Sequence, residues 1–413
     1  MAHGKALMTI KWTKVGLTLV VVAIGLVPTA ILGLFIYASA TAPVLHPNAA
    51  DVTSTASATP LQQWIGAVEQ GRQAVRAALA EHNLPGVSVA VGAGGQIVWA
   101  EGFGWANLDH KVPVSPETRF RIGTASTVLT SAAVGLLLEK ERLKLDEPIQ
   151  AYVPEFTQTQ WPATLRQVMG HVAGIRSDGG DEGPLFGEQC DRPAEALPHF
   201  GHEQRFEPGT QYQFSNFGWI LVSAAVEAAA DESFLSFMRK QVFEPLGMDH
   251  TEADFEAGPG PERTTDYFPK FAGDPRYGPD VMRPLNLSCY AGAGVFLSTP
   301  SDLVRFGMAI NSGKLLQPAT VQVLQASLRL PSGEDTGYGL GWDLESVELA
   351  GQPTRVAGHD GNVLGGMAMS FLTFPAHNLV VAVTSNTSYA DTRALGITIA
   401  QAFAGQSQTT AER

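Results

Sequence analysis

A serine or threonine hydroxyl attacks a carbonyl only when a neighbouring base takes its proton, so the first question is where a hydroxyl and a base stand at fixed spacing. The 413-residue chain contains no Ser-x-x-Lys and no Gly-x-Ser-x-Gly. Thr124, Ser126 and Thr127 stand where a long apolar run begins. Hydroxyl residues ahead of an apolar helix are ordinary caps, so Thr124 is read as a cap and Ser126 as the start of the helix. His199 and His202 lie three apart in a loop flanked by Pro and Gly, but no third ligand accompanies them at usable spacing, and no metal or other cofactor is expected. Asp178, Asp181 and Glu182 read as a solvated surface loop. The two cysteines, Cys190 and Cys289, give neither a disulfide framework nor a thiolate cluster, and their separation leaves their pairing open.

The elements that must position these residues follow from apolar periodicity. From Leu61 the residues Ile65, Val68, Val75 and Leu79 recur at helical spacing until Asn83-Leu84-Pro85. Val87, Val89 and Val91 alternate with small residues, Gly94-Gly95 turns the chain, and Ile97-Val98-Trp99 follows, which predicts a β-hairpin. A nearly all-apolar, hence buried, helix is expected from Ser126 to about Arg142. Another spans about Trp219 to Ala229. Near the end, Gly366 to Phe374 and Leu379 to Ser385 form a second hairpin, and a last helix covers Asp391 to Ala404. Strands at both ends with helices between them imply an α+β/α/β fold: one antiparallel sheet fed from both termini, flanked by helices, with an all-helical subdomain inserted.

Composition fits one large folded unit. Hydrophobic residues make up 45% and charged residues 16%, which excludes a disordered chain. A net charge of -13 excludes a nucleic-acid binder, which would need a basic footprint. Lys5, Lys11 and Lys14 precede an uncharged run from Val15 to Tyr37, and no acidic residue occurs before Asp51. Such a run is long enough to cross a hydrocarbon core of about 30 Å. The expected organisation is a cytoplasmic segment 1–14, a signal-anchor span 15–37, a flexible linker 38–60, a folded domain 61–405 and a disordered tail 406–413. The positive-inside rule then puts the domain outside the cytoplasm, in the periplasm if the cell is bacterial. Cleavage near Ala40, within Ala38-Ser39-Ala40, would instead release it.

From Pro85 to Asn386 the chain resembles the class C beta-lactamase and D-alanyl-D-alanine carboxypeptidase family of penicillin-binding-protein-like serine hydrolases, especially its mitochondrial beta-lactamase-like protease branch. The resemblance is carried by Phe120-Arg121-Ile122-Gly123, Leu145-Asp146-Glu147-Pro148-Ile149, Tyr152-Val153-Pro154-Glu155-Phe156 and His171-Val172-Ala173-Gly174-Ile175. Further along come Phe206-Glu207-Pro208-Gly209, Gly292 to Thr299, Tyr338-Gly339-Leu340-Gly341-Trp342 and Gly358-His359-Asp360-Gly361. The fold it implies is that of beta-lactamases and transpeptidases.

The resemblance also implies a site, built on Ser-x-x-Lys, Tyr-x-Asn and Lys-Thr-Gly or His-x-Gly. In this chain the first motif reads Thr124-Ala125-Ser126-Thr127, so the serine is Thr124 and the lysine is Thr127. The tyrosine position falls on Phe214 and the asparagine on Asn216, with a phenol displaced to Tyr212. Only His359-Asp360-Gly361 survives. Thr124 and His359 are the residues to watch for any remaining chemistry, and Tyr212, Asn216, His359 and Gly361 for binding. Losing nucleophile or base in such coupled sets costs on the order of a million-fold in turnover. The expectation is therefore a membrane-anchored pseudoenzyme whose cleft or surface binds a peptide, a cell-wall fragment, an acyl or ester small molecule, or a protein partner. The competing expectation is a hydrolase, such as an esterase, peptidase or beta-lactamase, working through Thr124, Tyr212 and His359.

Overall fold

The computed structural model describes residues 14–157, 160–176, 185, 187–199, 204–254, 262–270, 277–363 and 366–411, with the backbone alone described for 14–26, 363 and 406–411. The elements that matter for the site are α1 (Lys14–Thr41), β1 (Ser54–Ala56), α2 (Ile65–Glu81), β2 (Gly86–Ala93), β3 (Gln96–Asn107), α3 (Ser126–Glu139) and α4 (Leu165–Met169). They continue with α5 (Asn216–Ala230), α6 (Pro300–Asn311), β4 (Asp343–Leu349), β5 (Gln352–Val363), β6 (Met367–Phe374), β7 (Leu379–Ser385) and α7 (Thr392–Ala411). The main sheet runs β1-β3-β2-β7-β6-β5-β4, with each pair antiparallel, so the two predicted hairpins meet at its centre, where Val383 pairs with Val89.

Alternation decides which face each side chain serves. Val87, Val89 and Val91 of β2 join Val381 and Val383 of β7 in one core layer with Val68, Val75 and Leu79 of α2 and Ile399 and Phe403 of α7. Ala90 and Ala382 point the other way, into the core that continues through α6 to the helical lobe of α3, α4 and α5. Helix α3 buries eleven of its fourteen residues, and apart from Ser126, Thr127, Thr130 and Ser131 the buried ones are apolar or glycine, as the sequence implied. Its last turn is Glu139 rather than Arg142, because Glu141 takes a left-handed conformation (φ 55°). The last helix runs past the expected stop to Ala411, so six residues assigned to a disordered tail are helical.

Residues 38–60 depart most from expectation. The segment after α1 is docked, not free. Leu45 N donates to Asn83 Oδ1 at 2.8 Å, His46 Nε2 lies 3.0 Å from the Leu84 carbonyl, Val52 is 4% exposed, and β1 adds an edge strand opposite Glu101–Phe103. An edge strand is held by backbone hydrogen bonds and needs no apolar run, so composition alone misread it. Among the described residues no helix is long and apolar enough to cross a membrane, and residues 15–26 of the span expected at 15–37 lie outside the described side chains.

Cys190 and Cys289 are joined by a disulfide across 99 residues of sequence, with Cα atoms 4.8 Å apart. It ties the segment leading into Pro193–His199 to the turn before Ala291–Gly294, and both of these pack on α5.

The docked segment makes a testable statement. A chain beginning at Leu61 loses β1, the Val52 contact and several backbone hydrogen bonds worth about 0.5–1.5 kcal/mol each. It is expected to melt several degrees below a chain beginning at Ala42. Equal melting temperatures would show that 42–60 contributes nothing to the fold.

Candidate active site

The site lies where the first turn of α3 meets β5. Gly123 has φ +50°, and a Cβ there would stand 3.1 Å from the Asn362 carbonyl oxygen; a Cβ on Gly361 would stand 1.9 Å from the Ile122 oxygen. Only two glycines allow so close an approach. It brings the half-buried Thr124 against the strand, where its Oγ1 donates to the Asp360 carbonyl at 3.1 Å. The expectation that Thr124 caps α3 is thereby corrected. The residue ahead of the helix is Ala125, which offers no side-chain cap, while Thr124 is spent on a cross-strand bond.

That same carbonyl accepts a second hydrogen bond, from His359 Nδ1 at 2.5 Å. A nitrogen facing a carbonyl carries the proton, so His359 Nε2 holds the lone pair and accepts from the Tyr338 phenol at 3.0 Å. Both ring nitrogens of this 4%-exposed histidine are therefore occupied. Asp343 Oδ2 stands 3.9 Å from Nδ1. No hydrogen bond joins Thr124 to His359 or to Tyr212, so the competing set of Thr124, Tyr212 and His359 does not assemble.

Thr127, at the lysine position, is fully buried on α3. Its hydroxyl and the Trp219 indole lack hydrogen-bond geometry, yet both lie close enough to the Tyr338 phenol to favour its charged form. Burial, followed by the charge of Asp343, outweighs them and pushes the phenol well above its usual pKa. Tyr338 is thus a neutral donor at any ordinary pH. Phe214, at the tyrosine position, is half-buried with its ring 4.4 Å from that of His171. Tyr212 is 37% exposed, edge-on to His171 at 5.9 Å and 6.0 Å from Tyr338; burial and Asp343 push its phenol up to about 12.

Ser215 fixes this strip. Its N–H donates to His171 Nδ1 at 3.1 Å, its Oγ donates to the Arg176 carbonyl at 2.8 Å, and the same Oγ caps α5 by accepting from Gly218 N at 3.2 Å. Phe214 and Asn216 are held on either side of it, Asn216 as the first residue of α5. Because His171 Nδ1 accepts, its proton is on Nε2, which is buried without a partner among the described residues. Burial, with a smaller contribution from His359, lowers the His171 pKa from 6.5 to about 3.

The structure therefore brings Thr124, Thr127, Phe214, Tyr212, Asn216, His359 and Gly361 to one junction. It adds three residues that were read only as signs of the fold or not at all: His171, Tyr338 and Asp343. Tyr338 and His171 were legible as motif text; that both join this junction was not, because their contacts cross 21 and 44 residues of sequence. His199 lies in the short helix Pro193–His199, while His202, Asp178, Asp181 and Glu182 lie outside the described residues. Among the described residues no three His, Cys, Asp or Glu side chains converge as metal ligands.

This geometry can be set beside known proteins. The beta-lactamase family model matches residues 72–406. The chain belongs to the beta-lactamase family. A penicillin-binding protein of Bacillus subtilis (strain 168) is 26% identical over 303 residues, which is 70% of this chain and 65% of the relative. The human mitochondrial serine beta-lactamase-like protein LACTB is 28% identical over 316 residues, 60% of this chain and 57% of the relative. The chain thus matches less than two thirds of either relative's length. The D-amino acid amidase of Ochrobactrum anthropi SV3 shares the fold, with a TM-score of 0.67 at 21% identity, covering 82% of this chain and 99% of that one.

The buried neutral His171 gives a pH prediction. Its folded pKa lies below that of the free side chain, so the unfolded chain takes up a proton that the native state refuses. The stability this histidine contributes is complete above about pH 6.5 and is lost as the pH falls towards 3, at up to about 1.4 kcal/mol per pH unit. Urea unfolding of wild type and His171→Phe at pH 7.5 and 5 should show a steeper loss in the wild type. Parallel losses would mean that His171 is not buried neutral.

Proposed function

We propose that this chain is a membrane-tethered, extracytoplasmic pseudoenzyme of the beta-lactamase family, whose retained cleft binds a peptide or cell-wall fragment without turning it over. One observation carries this reading: the Thr124 proton is given to the Asp360 carbonyl, and neither nitrogen of His359 is free to take it. Thr127 and Phe214 supply no base in their place. A hydroxyl in that state is a poor nucleophile, while the fold around it is kept, as binding also requires. The names of the related proteins, which couple this fold to penicillin binding and to amide chemistry, support a peptide-like ligand.

Three features support the location. Lys5, Lys11 and Lys14 precede the apolar run. The described part of α1 exposes Val27, Ile31, Leu32, Leu34 and Ile36, a surface suited to lipid rather than water. The Cys190–Cys289 disulfide suits an oxidising compartment.

Turnover of a nitrophenyl ester and a chromogenic beta-lactam tests the reading on the full chain and on Thr124→Ser/Thr127→Lys/Phe214→Tyr. The triple variant should turn over at least about a hundredfold faster than the natural protein, whose residual rate, at most about a thousand- to ten-thousandfold over solution, should be unchanged by Thr124→Ala. Turnover by the natural protein that Thr124→Ala abolishes would contradict the proposal.

A further inference from the structure

The turn through Gly339 and Gly341 folds the chain back on itself, with Gly339 N donating to the Trp342 carbonyl and Leu344 N to that of Gly337, each at 2.8 Å. Tyr338 and Asp343 become an antiparallel pair, and Asp343 sits opposite Gly358, the neighbour of His359. The Asp343 carboxylate is thus placed at the cleft with its side chain 37% exposed. Among the described residues it forms no ion pair with Lys or Arg. Arg393, which bonds the neighbouring Glu345 and Asp360 (2.9 Å), is spent on them. His359 does not neutralise it either, since its Nδ1 proton faces the Asp360 carbonyl.

Tyr338, the bridge partner of Asp343, links this carboxylate to a set of aromatic rings. Tyr212 lies 6.0 Å from Tyr338, both feel the Asp343 charge, and the half-buried Phe214 packs on the same His171 as Tyr212. The two positions where the chain's motifs would carry an amine or a second phenol are Thr127 and Phe214. The cleft consequently offers a negative charge and ring faces, with no lysine from α3 to balance them. An anionic ligand would meet Asp343 as a like charge, whereas a cation meets a counter-ion and ring faces that attract it.

We propose that the cleft binds a primary ammonium group, such as the amino end of a peptide or an amino-acid derivative, with Asp343 as counter-ion and Tyr212 and Phe214 as aromatic walls. The proposal rests on the reading of the cleft as a binding site and names the charge of what it takes.

The test is calorimetric titration of the full chain with benzylamine, benzyl alcohol and benzoate, which share a ring and differ in charge. Benzylamine should bind at least about tenfold tighter than the other two, Asp343→Asn should weaken it by about tenfold, and Tyr212→Ala should weaken it severalfold. If Asp343→Asn does not fold, raising the salt on wild type gives the same answer, because a charge-based contact at a half-exposed carboxylate weakens with ionic strength. Absent benzylamine binding, equal affinity for benzoate or benzyl alcohol, or a folded Asp343→Asn that binds the amine unchanged would each overturn the proposal. Ester turnover measured on the same samples separates the two readings. Turnover that Thr124→Ala abolishes sinks the pseudoenzyme alone, and an Asp343-independent affinity in a silent protein sinks the ammonium site alone.

Discussion

One carbonyl oxygen organises the cleft. Asp360 O accepts from Thr124 on the helical lobe and from His359 on its own strand, and it can do both only because Gly123 and Gly361 let the two backbones touch. A carbonyl has two lone pairs and here both are used. In the proposed reading that arrangement leaves Thr124 unactivated, since its hydroxyl donates to an oxygen that cannot relay the proton. Tyr338 then completes the set from the other side by occupying the remaining nitrogen of His359. The outcome is a polar network that joins sheet to lobe; the proposed function rests on its leaving no open base.

Around this junction the packing is aromatic. His171, Phe214, Tyr212, Trp219 and Tyr338 form one contiguous set of rings, and burial holds His171 and Tyr338 neutral in it. Among the described residues, Asp343, partly in solvent, is the carboxylate whose charge reaches both phenols, and it stands 3.9 Å from His359. In the proposed ammonium site, that charge sets the sign of what can bind.

Much of this could be read from the residues in order. The alternating valines of β2 and β7, the all-apolar α3 and the turn at Gly94-Gly95 fix the sheet and the buried helix because each is a local pattern. The replaced positions Thr124, Thr127 and Phe214 were legible too, since motif spacing is also local. What escaped depends on contacts between distant segments. Residues 42–60 carry the composition of a linker yet dock through the β1 ladder and through bonds to Asn83 and Leu84, 38 residues away, which local pattern does not show. The pairing of Cys190 with Cys289 is a matter of where two loops meet on α5. Thr124 reads as a helix cap until Gly123 turns it towards β5. Asp343 opens a strand and looks like any other polar residue until the Gly339–Gly341 turn aims it at His359.

The most direct test of the central claim is whether Thr124 can be acylated at all. Full-length protein incubated with a fluorescent penicillin and with an activated ester, then weighed intact by mass spectrometry, should show no covalent adduct. An adduct mapped to Thr124 would contradict the account, because it would require a base that the closed network around Asp360 and His359 does not contain.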